Sequence, residues 1–108
     1  MTAHIVFCTV PDAAIARTIA GTVVEEGLAA CGNIVPGMTS IYRWQGNVEE
    51  AAEALIIFKT TLGAWPRLEE RIIELHPYEV PELLLVRIEA GHAPYLNWVE
   101  ESTQSVIT

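Results

Sequence analysis

Hydrophobic residues recur along this chain in two rhythms, and the change from one to the other marks out its elements. His4 to Val10 is short, β-branched and apolar at nearly every position, the pattern of a strand covered on both faces. Pro11-Asp12 then opens a stretch whose apolar positions Ile15, Ala16, Ile19, Ala20, Val23 and Val24 fall three or four residues apart, an amphipathic helix stopped by Gly27. Strand character returns from Cys31 to Met38, broken at Pro36-Gly37 where a regular ladder cannot continue, and resumes from Thr39 to Trp44. Gln45-Gly46-Asn47 is a tight-turn signal, so the chain doubles back into a partner strand running to Thr61. Val48 to Ala54 is helix-forming by composition, yet the turn demands a pairing partner and Leu55 to Phe58 continue the strand, which decides for β.

A second helix begins at Trp65-Pro66, turns Leu68, Ile72 and Leu75 inward with Glu69, Glu70 and Glu74 outward, and ends at His76-Pro77. Leu83 to Ile88 is a fourth strand, and Pro94 opens a last helix through Trp98 and Val99 to Ser102. The order predicts an α+β fold: a ferredoxin-like βαββαβ antiparallel sheet with an extra C-terminal helix and a long central hairpin. In that topology the first and fourth strands are antiparallel neighbours, so Cys8 comes to lie beside the end of the His76 to Glu82 loop. The hairpin, residues 33 to 61, is longer than a small sheet uses, and its far half, with Tyr42 and Trp44, presents an edge that pairing in a closed ring of copies would satisfy.

Length and composition narrow the picture. The 108 residues suit a single domain spanning 1–108, and a hydrophobic content of 51% against 19% charged predicts that part of the apolar surface is covered by another subunit. The net charge of −8, with Lys59 the single lysine, leaves no surface to neutralise a row of phosphates, which argues against nucleic acid. No segment approaches the roughly 18 apolar residues of a membrane span, and Met1-Thr2-Ala3-His4 carries no basic leader, so a soluble, cytoplasmic protein without membrane association is expected. Cys8 and Cys31 fit no CxxC spacing and read as reduced thiols, Cys31 being structural.

The densest chemistry lies in His76-Pro77-Tyr78-Glu79-Val80-Pro81-Glu82. Two prolines, each fixing its own φ near about −65°, stiffen a turn that carries an imidazole, a phenol and two carboxylates. His76 can serve as a metal donor or can cap the carbonyls ending the second helix, whereas His4 and His92 sit at element edges and read as surface residues. Lys59 and Glu53 read as a buried lysine–carboxylate pair at a subunit contact.

The chain resembles the CutA divalent-cation tolerance family over nearly its whole length. The resemblance is carried by Cys8-Thr9 with Pro11-Asp12, Leu28-Ala29-Ala30-Cys31 with Asn33-Ile34-Val35-Pro36-Gly37, and Ser40-Ile41-Tyr42-Arg43-Trp44-Gln45-Gly46. It continues through Glu53, Lys59-Thr60-Thr61, His76-Pro77-Tyr78, Val80-Pro81-Glu82 and Tyr95-Leu96-Asn97-Trp98. It implies a cytoplasmic homotrimer that binds Cu(II), without an enzymatic activity. The family's copper ligands are the first-strand cysteine and two consecutive histidines before Pro-Tyr; Cys8 and His76 match the first and last, while Leu75 replaces the remaining histidine and Glu79 is the substitute donor in reach. The resulting expectation is a homotrimer binding Cu(II) or another divalent cation through Cys8, His76 and Glu79. The alternative is a PII-like signalling or scaffold trimer holding a small metabolite between subunits, although no glycine-rich phosphate loop is present.

Overall fold

The computed structural model describes residues 3–103. The elements are β1 (Ala3–Val10), α1 (Ala13–Glu25), β2 (Cys31–Trp44), β3 (Asn47–Thr61), α2 (Trp65–Leu75), β4 (Leu83–Arg87) and α3 (Ala93–Ser102). Residues 1–2 and 104–108, the ends of the expected 1–108 domain, lie outside the described residues. The four strands form one antiparallel sheet in the order β2-β3-β1-β4, the α+β ferredoxin-like arrangement that the βαββαβ order predicts.

Local chemistry sets each boundary. Asp12 caps α1, its Oδ1 accepting the Ile15 amide at 2.9 Å, and Gly27 at φ 75° closes the helix while the Leu28 amide donates to Val23 O at 2.9 Å. Pro66 stands at the first turn of α2, and Pro94 at that of α3, where a missing amide hydrogen costs nothing. Val48 to Ala54 is strand, as the turn requires: Gln45 and Gly46, both at positive φ, join Trp44 to Asn47, and β2 pairs with β3 over nearly the whole of both strands.

Alternation then divides the sheet into two faces. Val6, Cys8 and Val10 of β1 and Ala54, Ile56 and Phe58 of β3 point toward the helices and pack on Ile19, Val23, Leu68 and Ile72. The other face carries Ile5, Phe7, Val35, Leu55, Ile57, Leu84 and Val86, aligned across the strands by the register Val35↔Leu55, Ile57↔Phe7 and Phe7↔Leu84. Among the described residues only its end is covered, where Leu96 and Val99 of α3 pack with Ala3 and Ala30. Leu84 remains 54% exposed and Val35 44%, so this apolar face lacks a cover among the described residues.

At Pro36-Gly37 the register slips from Val35↔Leu55 to Met38↔Glu53, three residues on β2 against two on β3. The extra residue is a β-bulge, with Gly37 at φ 70°, and it returns Ser40, Tyr42 and Trp44 to the face that Asn33 and Val35 occupy. Beyond the bulge the ribbon projects, which stretches the molecule to 43 × 28 × 23 Å.

Three details differ from the sequence reading. Val24 is exposed, because a 13-residue helix seats only Ala16, Ile19, Ala20 and Val23 fully on the sheet. His4 is buried rather than on the surface, since β1 is flanked by Thr60 of β3 and Arg87 of β4 at that position. Strand β4 ends at Arg87, and Ile88 turns to pack beside α3.

Phe58 is fully buried under α1, its ring meeting Gly32 so closely that an added Cβ there would lie 3.1 Å from Cε1. Phe58→Ala is expected to lower stability by about 3–5 kcal/mol, and Asp12→Ala by about 1 kcal/mol. Shifts of the guanidinium unfolding midpoint measure both.

Candidate functional site

Strand β1 ends where the loop after α2 arrives, and the pairing Cys8↔Leu83 puts the last residues of β1 beside the start of β4. His76 ends α2, its amide donating to Ile72 O at 2.8 Å before the backbone turns extended at ψ 133°. The buried imidazole stands 2.7 Å, through Nε2, from the carbonyl of Thr9, and its Nδ1 lies 3.1 Å from the Tyr78 amide. A carbonyl only accepts and an amide only donates, so Nε2 carries the proton and Nδ1 offers its lone pair to Tyr78. Both ring nitrogens are thus engaged in joining the loop to β1. The capping of α2 carbonyls that the sequence allowed is not what the ring does.

Tyr78 follows from this anchor. Its ring lies 4.8 Å from that of His76, tilted by 48°, and its hydroxyl donates to Glu53 Oε2 on β3. Burial, with the Glu53 carboxylate, holds the phenol proton well above the ordinary tyrosine range, so Tyr78 stays a donor. Glu53 is therefore the partner of Tyr78 and not of Lys59. Within one chain Lys59 and Glu53 do not meet, because six residues along a strand separate the two by about 20 Å, and Lys59 donates to Asn33 Oδ1.

Cys8 is fully buried among the core side chains beneath the helices. Burial, with a smaller contribution from the Glu82 carboxylate, pushes its thiol up to about 12, so it carries its proton at neutral pH. Thr9, the next residue, points to the opposite face and lines a cleft of about 780 Å³. Tyr42, Trp44, Glu49 and Glu53 of the hairpin form one wall, and Tyr78, Glu79 and Glu82 of the loop form the other.

The three expected donors are thus brought to one end of the sheet but face different ways: Cys8 into the core, His76 onto Thr9, Glu79 into the cleft. Among the described residues no group of three or more His, Cys, Asp or Glu side chains is arranged to hold a metal ion. The sequence reading missed Thr9, Glu49 and Glu82 as cleft residues. The available signal was the bulge at Pro36-Gly37, which decides the face on which Tyr42 and Trp44 stand. At the far end of the sheet, Cys31 Sγ contacts Tyr95 Oη at 3.8 Å, and burial with this contact raises the phenol's pKa.

Comparison with known proteins gives one consistent result. Residues 4–102 match the family described as CutA1 divalent ion tolerance protein. The divalent-cation tolerance protein CutA of Thermus thermophilus is 56% identical over 93% of this chain and 97% of its own. A solved structure of the Thermus thermophilus protein superimposes with a TM-score of 0.92 at 54% identity, covering 94% of this chain and 99% of that one. Protein CutA of Mus musculus is 46% identical over 93% of this chain, which spans only 56% of the mouse protein. The Archaeoglobus fulgidus structure, described as a periplasmic divalent cation tolerance protein CutA, superimposes with a TM-score of 0.90 at 30% identity over 94% of this chain and 99% of that one.

Replacing His76 by Phe keeps the ring volume and removes both hydrogen bonds, leaving a buried carbonyl and an amide unsatisfied. The expected cost is about 2–4 kcal/mol. Native-state hydrogen exchange should show the Tyr78 amide losing protection while β1–β3 amides keep theirs; unchanged Tyr78 protection would dismiss the anchoring role.

Proposed function

The chain belongs to the CutA1 divalent ion tolerance protein family, and on that footing we propose that it is one domain, residues 1–108, acting in divalent-cation tolerance as a cytoplasmic homotrimer that binds Cu(II) or another divalent cation through Cys8, His76 and Glu79. The observation that carries the reading is the uncovered apolar face of the sheet. Ile5, Phe7, Leu55, Ile57, Leu84 and Val86 form a surface that water disfavours, at about 25 cal/mol per Å² left exposed. Among the described residues the two free edges of the sheet, β2 and β4, are unlike. Joining unlike edges head to tail closes a ring where the rotation between neighbours is 120°, whereas a twofold contact would pair only like with like. Two free thiols, Cys8 and Cys31, accord with a reducing compartment.

In this reading cation capture is coupled to movement. Nδ1 of His76 would become a ligand only on letting go of the Tyr78 amide, and Cys8 only on shedding its proton and turning out of the core at the end of β1. Glu79, which lines the cleft, would offer its carboxylate to the ion, and water would supply the donor that Leu75 cannot. Catalysis forms no part of the assignment: a thiol held up to about 12 is a poor nucleophile. The cleft of about 780 Å³ favours a second reading, a PII-like trimer that holds a small molecule between subunits.

Light scattering at micromolar concentration should give a mass near three times 11.9 kDa, and a monodisperse monomer would refute the ring. Cu(II) titration should give saturable binding that is lost in His76→Ala and weakened in Cys8→Ser. Because the folded thiol ionises only near 12, each bound ion must displace its proton, so the affinity rises about tenfold per pH unit from pH 6 to 8. Equal binding by the double variant removes the proposed donors.

A further inference from the structure

His76 is 7% exposed, and both nitrogens of its ring are engaged. Nε2 donates to the Thr9 carbonyl, while Nδ1, which carries the ring's one free lone pair, is covered by the Tyr78 amide at 3.1 Å. What keeps that amide in place lies at the other end of the same residue. The Tyr78 hydroxyl donates to Glu53 Oε2, and Glu53 pairs with Met38, the first pair beyond the bulge, at the root of the projecting ribbon. Tyr78 is thus fixed at both ends, its amide on the imidazole and its hydroxyl on a carboxylate, directly after a proline that restricts the chain.

The two bonds act in series. Moving the amide off Nδ1 displaces the whole residue, and the ring, which lies 4.8 Å from that of His76, is tethered at its far end to Glu53, so the outer bond resists loss of the inner one. Nδ1 is reachable only in a second state, with the loop swung away. Whatever takes up that lone pair therefore binds in proportion to how often the second state occurs. The outer bond can break without disturbing the core, because Tyr78 is 36% exposed and stands outside the cluster packed under the helices.

We propose that the Tyr78–Glu53 hydrogen bond is an autoinhibitory latch, which holds the loop shut on β1 and so withholds Nδ1 of His76 from electrophiles and cations in solution. The shut loop accords with the lack, among the described residues, of any three-donor group. For cation capture the latch rests on the reading of His76 as a metal donor, whereas its effect on the loop does not.

Diethyl pyrocarbonate, which acylates a free imidazole nitrogen, tests the latch without any metal. The full-chain protein in its native assembly is treated with the reagent, and the rate at each histidine is followed by peptide mass, with exposed His92 as the internal reference. Tyr78→Phe should raise the rate at His76 about tenfold relative to His92, and Glu53→Ala likewise, while Glu53→Gln, which keeps an acceptor oxygen, falls between these and the native chain. The double variant Tyr78→Phe with Glu53→Ala should react no faster than the faster single one, since both remove the same bond. Hydrogen exchange separates a released loop from a weakened fold: the amide of residue 78 exchanges faster while β1 and β3 amides keep their protection. Unchanged reactivity of His76 in Tyr78→Phe, additive effects in the double variant, or a matching loss of protection in β1 and β3 overturns the latch. Cu(II) titrated into the same proteins should bind about tenfold more tightly to Tyr78→Phe, and equal binding by both forms overturns the proposal. Cu(II) binding to none of them while His76 becomes more reactive supports the latch and removes only the metal donors.

Discussion

Pairing of β1 along both of its edges is the constraint on which the rest of this structure depends. With β3 on one side and β4 on the other, β1 cannot slip by a residue without throwing Val6, Cys8 and Val10 out of the core. The same fixed register sends Ile5, Phe7 and Thr9 to the opposite face. A single strand thereby sets the core, the uncovered apolar surface and the floor of the cleft. Adjacent residues Cys8 and Thr9 have opposite fates: one thiol is sealed in hydrocarbon with its proton held, and one hydroxyl looks into open space.

The proline-bounded loop is the other half of the design. Its stiffness comes from Pro77 and Pro81, but its position comes from His76, which ties the loop's first turn to the Thr9 carbonyl of β1. Tyr78 then reaches Glu53 on β3, so two hydrogen bonds stitch the loop to two strands, and a third, from the Tyr78 amide to His76 Nδ1, closes the turn between them. An imidazole that locks a loop and a loop whose carboxylate faces a cleft are two aspects of one arrangement. Any ligand that competes for His76 must also loosen Tyr78, and through it Glu53.

Much of this was legible in the residues. The strand order, the antiparallel β1–β4 contact and the strand assignment of Val48 to Ala54 followed from apolar rhythm and from the turn at Gln45-Gly46, which outweighed helix propensity. Side-chain partners were less legible, because they depend on which way a residue faces. Lys59 and Glu53 are complementary in charge, yet within one chain they stand on one strand too far apart to meet, and each has a neutral partner on another element. His4 looked like a terminal surface residue because its two flanking strands come from distant parts of the chain. Cys8 was found at the expected end of β1, but alternation aims it inward, away from the cleft that holds Glu79.

The bulge at Pro36-Gly37 has a consequence for how this ribbon tolerates change. Because it adds one unpaired residue, it acts as a parity device: everything distal to it is turned over relative to what an unbroken ladder would give. Shortening or lengthening the distal arm of β2 by one residue would rotate Tyr42 and Trp44 to the reverse side, while a change of two would leave them facing as they do. Length variation in this arm is therefore tolerable only in even steps.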